Sequence, residues 1–286
     1  MSRYVVFVGE RRGGSVPAGD RGVAYGDGVF ETMRGHRGGV PWWDAHWARL
    51  ERGAGRLGLA LPRAALVRDE AVRLLDGGDA VLKLLLTRGD GARGYAPPRN
   101  AKPTWILSTH PLPAPPRAGG LVLRWCDTRL AHQPLLGGIK HCNRLEQVLA
   151  RGEWPAPGEP GGDAFDEGLV CDADGQVAGA IAANVFVFRD GQWRTPPVDH
   201  CGVAGTCRAW WLREAGAVEA PLAPADVEAA DAVVLCNAVR GILPVARLAG
   251  REWPRHPAVA AVARRLAAAH PGLAWPTDLN DTPGES

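Results

Sequence analysis

The sequence predicts a two-domain chain of mixed helices and strands, of the α/β or α+β class. Three observations predict it. Strand-like and helix-like patterns alternate along the chain. At 286 residues and 46 % apolar content, the chain can bury a large core and is long for one domain. The stretch Pro111-Leu-Pro-Ala-Pro-Pro-Arg-Ala-Gly-Gly120 can continue neither a helix nor a ladder for long. It separates a smaller N-terminal α/β domain, 1–112, from a larger C-terminal domain, 121–286, with residues 113–120 as linker.

Within the first domain, Tyr4-Val-Val-Phe-Val-Gly9 reads as a strand that enters a hairpin through the Arg-Gly-Gly segment at 12–14. A helix is expected from about Trp42 to Leu59, because Trp43, Trp47, Leu50, Ala54 and Leu57 recur at spacings of four and three. Arg49, Arg52 and Arg56 fall on another face of that helix. A second helix is expected at 64–76, followed by strands at 80–88 and 104–110. In the second domain, strands are expected at 121–126, 166–172, 184–189 and 231–236. Helices are expected at 143–151, 206–215, 224–230 and 257–269. Asn143 and Glu146 have the spacing of a capping box, which puts Lys140 in the loop just before a helix. The polar tail from about 275 is expected to fray.

Charge and cysteine usage exclude several functions. A net charge of +2 with interspersed signs gives no reason to expect a nucleic-acid or membrane partner. No stretch approaches the roughly 20 apolar residues that span a bilayer, and the short N-terminal apolar run reads as a strand, not a signal peptide. The six cysteines are far apart with no C-x-x-C pair, so reduced thiols in a cytoplasm are the simplest reading. His110, His132, His141 and His200 show no metal-ligand spacing with them, and no metal site is expected. Among 33 basic residues only Lys83, Lys102 and Lys140 are lysine. A lysine kept in so arginine-rich a chain points to work that a guanidinium cannot do, chiefly nucleophilic attack by a neutral amine.

Eight segments then occur in an informative order: Asp20-Arg-Gly-Val-Ala-Tyr-Gly-Asp-Gly-Val-Phe-Glu31, His46-Trp-Ala-Arg-Leu50, Leu82-Lys through Thr87-Arg-Gly-Asp-Gly-Ala-Arg-Gly-Tyr95, Gly138-Ile-Lys-His-Cys-Asn-Arg-Leu-Glu-Gln147, Asp166-Glu-Gly-Leu-Val170, Ala182-Ala-Asn-Val-Phe186, Gly202-Val-Ala-Gly-Thr-Cys-Arg208 and Cys236-Asn-Ala-Val-Arg-Gly-Ile-Leu-Pro-Val245. Together they resemble the fold-type IV pyridoxal-phosphate (PLP) enzymes. That family includes branched-chain and D-amino-acid aminotransferases and 4-amino-4-deoxychorismate lyase, and the resemblance is strongest toward the lyase. It implies a two-domain fold like that of D-amino-acid aminotransferase, pyridoxal 5'-phosphate as cofactor, and a homodimer. The implied substrate is the small molecule 4-amino-4-deoxychorismate, cleaved to 4-aminobenzoate and pyruvate for folate synthesis.

The resemblance also implies residue roles. Lys140 would carry the cofactor as a Schiff base and act as general base and acid. Arg49 would hold the phosphate through its fork of donors; its place on the helix alone favours an ordinary solvated arginine, and only the His46-Trp-Ala-Arg-Leu50 match reverses that. Asn184, the Thr206 and Cys207 turn that opens a helix, and the backbone at Ala238 and Val239 would complete the cofactor site. Thr32, Arg93, Tyr95 and Arg240 are the candidate substrate contacts, because two substrate carboxylates call for cations or oriented donors.

One position departs from the family. The glutamate expected five residues before Asn184, to pair with the pyridine nitrogen, is replaced by Gly179; Asp174, the nearest acid, belongs to a hairpin turn with Gly175. Loss of that carboxylate weakens the ring as an electron sink. The lyase tolerates this better than an aminotransferase, because its product gains aromaticity. An aminotransferase of the same fold and a non-catalytic homologue are the alternatives.

Overall fold

In a computed structural model of the chain, residues 3–117 and 119–274 are described; the tail expected to fray from 275 lies outside them. The chain forms two compact units. The first comprises the residues up to Pro113 together with Ile139–Asn143, and the second comprises Ala114–Gly138 and the residues from Arg144 onward. The Lys140 segment, which a division at 113–120 assigns to the C-terminal domain, thus joins the N-terminal one.

The first unit holds β1 (Tyr4–Val8), β2 (Arg11–Gly13), α1 (Arg21–Tyr25), β3 (Gly28–Gly35), α2 (Trp43–Leu57), α3 (Ala64–Leu75), β4 (Ala80–Thr87) and β5 (Thr104–His110). Its antiparallel sheet runs β2-β1-β5-β4-β3. The hairpin between β1 and β2 turns at Gly9 (φ 61°), earlier than the sequence suggests, so Arg11 and Arg12 lie in an exposed edge strand. Alternation along β3 turns Val29, Glu31, Met33 and Gly35 inward. With Leu50 and Ala54 of α2 and Leu84 and Trp105 of the neighbouring strands, Val29 and Met33 belong to one core. Phe7 stacks on Trp105 at 4.0 Å.

The second unit contains β6 (Leu121–Leu130), α4 (Leu145–Arg151), β7 (Glu167–Asp172), β8 (Val177–Ala180), β9 (Asn184–Arg189), β10 (Gln192–Thr195), α5 (Thr206–Glu214), β11 (Val218–Glu219), α6 (Pro224–Glu228), β12 (Ala232–Asn237), β13 (Gly241–Leu248), β14 (Arg251–Glu252) and α7 (Pro257–Ala269). Its mixed sheet runs β11-β10-β9-β12-β13-β6-β7-β8, with β14 beside β13; β6 is parallel to both β13 and β7. Asp174 and Gly175 form the β7–β8 turn, with Gly175 at φ 81° and its N–H donating to the Asp172 carbonyl.

The expected capping box at Asn143 does not form. Arg144 occupies the N-cap of α4 without a side-chain cap. Asn143 donates instead to the Gly26 carbonyl, and the Glu146 carboxylate accepts from the Ala131 N–H. Tertiary partners have taken both groups that local spacing assigned to each other.

Helix α5 is held by aromatic packing. Trp211 is fully buried, stacks on Phe186 at 4.3 Å and meets Trp193 edge-on at 4.9 Å. Trp211→Ala is expected to lower the unfolding free energy by about 3–5 kcal/mol, the range for emptying a large aromatic site, as read by urea denaturation.

Candidate active site

Strand β3 is an edge of its sheet, and the segment Ile139–Asn143 closes that edge. The Phe30 N–H donates to the Lys140 carbonyl at 2.9 Å, and the Cys142 N–H to the Gly28 carbonyl at 2.9 Å, around an antiparallel bridge between Val29 and His141. Two glycines leave room around this edge. A Cβ at Gly28 would stand 2.6 Å from the Leu86 carbonyl oxygen and 3.2 Å from Cys142 Sγ, and one at Gly53 of α2 would crowd Val29 at 3.2 Å. Lys140 is therefore positioned through its backbone. Its half-buried side chain lays Nζ over the Phe30 ring, 4.3 Å from the centroid, a favourable cation–π geometry. Thr32, half-buried, shares Phe30's face of β3 by alternation and lies opposite Lys83.

On the inward face of β3 the pattern places a carboxylate between Val29 and Met33. Helix α2 answers it with two residues one turn apart. Arg49 donates from Nε to Glu31 Oε1 at 2.8 Å and from Nη2 to Oε2 at 2.5 Å; His46 Nδ1 lies 2.7 Å from the same Oε2. Glu31 and His46 are 1 % exposed and Arg49 is 6 %. Arg49 is thus a buried member of an ion-paired cluster, unlike Arg52 and Arg56, which remain exposed on the same helix. Burial alone would raise the Glu31 pKa, but the charge and forked bonds of Arg49, with the His46 bond, bring it down to about 2. Burial pushes the His46 imidazole down, against the pull of Glu31.

In the second unit, helix α5 begins with Gly205 as N-cap and no side-chain cap, which leaves the first-turn N–H groups of Thr206 and Cys207 without helical acceptors. The Asn184 side chain donates to the Val203 carbonyl at 2.9 Å, and a Cβ on Gly205 would come within 2.0 Å of Asn184 Oδ1. Thr206 is 6 % exposed, yet its hydroxyl has no hydrogen-bond partner among the described residues. The buried Cys207 thiol hydrogen-bonds to Cys236, which with burial holds its pKa well above the usual thiol range, so Cys207 offers backbone only.

Cys236 leads into the turn between β12 and β13. There Asn237 Oδ1 accepts from the N–H groups of Val239 at 3.0 Å and Arg240 at 2.9 Å. The Val239 N–H is engaged inside the turn, and the neighbouring Ala238 N–H is the one Asn237 does not take. The half-buried Arg240 has an Nε without a hydrogen-bond partner among the described residues, and burial lowers its pKa despite Asp166 and Glu167 nearby. Glu167 is driven up to about 7 by burial, against the N–H groups of Gly168 and Ala182. Gly179 sits in β8 at φ 152°, opposite Val170.

The substrate candidates in the glycine-rich loop are exposed. Arg93 points to solvent and Tyr95 is 87 % exposed. Arg21 holds this loop, donating to the carbonyls of Gly94 at 2.8 Å and Tyr95 at 3.1 Å, while the Gly94 N–H donates to the Tyr25 hydroxyl. Sequence reading assigned no role to Glu31 or His46; the signal available was a lone acid at an inward strand position. Among the described residues no group of three or more His, Cys, Asp or Glu could hold a metal ion, and no helix is long and apolar enough to cross a membrane.

Residues 28–248 match the family model for class IV amino-transferases. The chain is 35 % identical over 246 residues to an aminodeoxychorismate lyase of Vibrio harveyi, covering 83 % of this chain and 89 % of the relative. It is similar to the crystal structure of 4-amino-4-deoxychorismate lyase from Pseudomonas aeruginosa, with a TM-score of 0.83 and 40 % identity over 92 % of this chain and 98 % of the other. The fold also matches a hypothetical aminotransferase of Mycobacterium tuberculosis in its PLP-bound form, with a TM-score of 0.76 and 21 % identity over 93 % of this chain and 98 % of the other.

The Glu31 cluster has a measurable acid signature. The folded carboxyl stays ionised down to about pH 2, whereas an unperturbed one protonates near 4.5. As pH falls, the unfolded chain therefore takes up the proton first. The contribution of Glu31 is complete above about pH 4.5 and is lost progressively toward pH 2. Urea midpoints of the wild type are expected to fall across this window, and those of Glu31→Gln to fall less steeply from a lower value at pH 7.

Proposed function

The chain belongs to the class IV aminotransferase family, and within it we propose that the protein is a PLP-dependent aminodeoxychorismate lyase, a carbon–oxygen lyase that converts 4-amino-4-deoxychorismate to 4-aminobenzoate and pyruvate for folate synthesis. The observation that carries this reading is the Lys140 amine, held over Phe30 by edge pairing to β3, in a chain whose close relatives include lyases.

The residues fit the cofactor. The buried, unpartnered Thr206 hydroxyl and the bare first turn of α5 are suited to phosphate oxygens, and the missing Cβ at Gly205 leaves room for the Asn184 side chain that packs there. Lys140, Arg49, Thr206 and Cys207 would hold pyridoxal 5'-phosphate. Asn184 keeps the Gly205 loop in shape, Ala238 adds a backbone donor, and Val239 belongs to the turn that Asn237 braces. When bound, the cofactor supplies an electron-withdrawing ring that acidifies the hydrogen on the substrate's amine-bearing carbon. The Lys140 amine is the base that takes this proton and the acid that returns one. Loss of that hydrogen and of the enolpyruvyl C–O bond leaves an aromatic ring. Arg240, Arg93, Tyr95 and Thr32 are the groups for the substrate carboxylates and their orientation.

Gly179 favours the lyase over an aminotransferase of the same family. No side chain at that position can offer a carboxylate to a pyridine nitrogen, and an aminotransferase has no aromatic product to compensate for a weaker electron sink. The retained Lys140 argues against a non-catalytic homologue. A homodimer is the expected assembly: Leu145, Val148 and Leu149 are 76 %, 63 % and 64 % exposed on one side of α4, an apolar surface suited to a second copy. A cytoplasmic location accords with six cysteines that form no disulfide.

The wild type is expected to release 4-aminobenzoate from 4-amino-4-deoxychorismate, and Lys140→Ala to release none; product from neither protein would refute the lyase reading. Thr206→Val, which keeps shape and removes the hydroxyl, is expected to weaken PLP binding by about tenfold, the scale of one hydrogen bond to a charged group, as measured by titrating the apoprotein.

A further inference from the structure

We propose that Glu31 and His46 are positioning residues for the cofactor: they fix the plane of the Arg49 guanidinium so that it can meet the phosphate. This rests on the reading above that Arg49 is a phosphate ligand.

The geometry is that of a brace. Arginine carries about 2 kcal/mol of rotamer entropy that a ligand has to overcome unless the fork is held in advance. Glu31 holds it by both carboxylate oxygens, one taken by Nε and the other by Nη2. Two parallel bonds of this kind fix a guanidinium in its own plane. His46 in turn fixes the carboxylate, since its Nδ1 shares Oε2. Because the ionised Glu31 can only accept, the proton of this bond sits on Nδ1, which sets the ring's tautomer.

Packing alone does not account for the arrangement. His46 is 1 % exposed and its Nε2 has no hydrogen-bond partner among the described residues. An orphaned buried polar atom costs about 1–3 kcal/mol. A buried ion pair is commonly no more stable than apolar residues of similar volume, and Glu31 stands between Val29 and Met33 on a strand face where an apolar residue would pack. Two buried polar side chains thus serve one fixed guanidinium. With its charge balanced by Glu31, what Arg49 offers an anion is an aligned donor set, not net charge.

The test compares PLP with pyridoxal, which lacks the phosphate, by absorbance titration of the apoproteins. Glu31→Gln is expected to weaken PLP binding by about tenfold while leaving pyridoxal within about twofold of the wild type. Arg49→Met should show the same selectivity with a larger loss. His46→Asn, which retains a donor at the Nδ1 position, should bind PLP like the wild type, and His46→Leu should resemble Glu31→Gln. This histidine pair keeps the test decisive if Glu31→Gln does not fold. Equal weakening of PLP and pyridoxal in Glu31→Gln and His46→Leu, or no weakening of PLP, overturns the brace while Arg49→Met still reports the arginine's role. If Arg49→Met binds PLP normally, the phosphate reading of Arg49 fails, and the brace fails with it.

Discussion

Backbone pairing between Ile139–Asn143 and the open edge of β3 is the contact on which the site depends. Two hydrogen bonds and one bridge carry a short piece of chain out of its sequence neighbourhood and into the N-terminal unit. Lys140 is thereby fixed at its Cα, and only the side chain is left to move. The role proposed for this amine, binding the cofactor and transferring protons, calls for that combination of a rigid root and a mobile tip. Gly28 serves this contact by being small, since a Cβ there would meet the Leu86 carbonyl at 2.6 Å and crowd Cys142 of the segment at 3.2 Å.

Two kinds of polar group suited to an anion occur in the chain, and they differ in origin. At α5 the donors belong to the backbone and come free with the start of a helix, while Asn184, packed where a Gly205 side chain would stand, holds the loop through the Val203 carbonyl. At Arg49 the donors belong to a long side chain and have to be bought into place by a buried acid and an imidazole. The first arrangement follows from local sequence. The second requires a strand and a helix to meet.

That difference decides what could be read in advance. Helix α2 and strands β4 and β5 were legible because apolar residues repeat at the right period, and Lys140 stood out by chemistry. Strand β3 was not, since Glu31 occupies an inward position and breaks the apolar alternation. Arg49 fell on the apparent solvent face for the same reason: its partner lies on an unrecognised strand. Asn143 and Glu146 matched a local capping rule, but Gly26 and Ala131 are distant in sequence and hold them instead. The Asn237 turn shows the reverse case, with donors that look open in sequence closed by a side chain two residues away.

Open sheet edges invite other chains to add strands, a route to aggregation. The five-stranded sheet closes its two edges differently: β2 exposes Arg11 and Arg12, while β3 is covered by the chain's own lysine segment. The strip that carries the Lys140 amine, the proposed seat of the chemistry, is also the strip that covers this sheet edge. Solubility and chemistry therefore share one stretch of backbone, and a proline at Cys142, which would remove an N–H that pairs with Gly28, would threaten both at once.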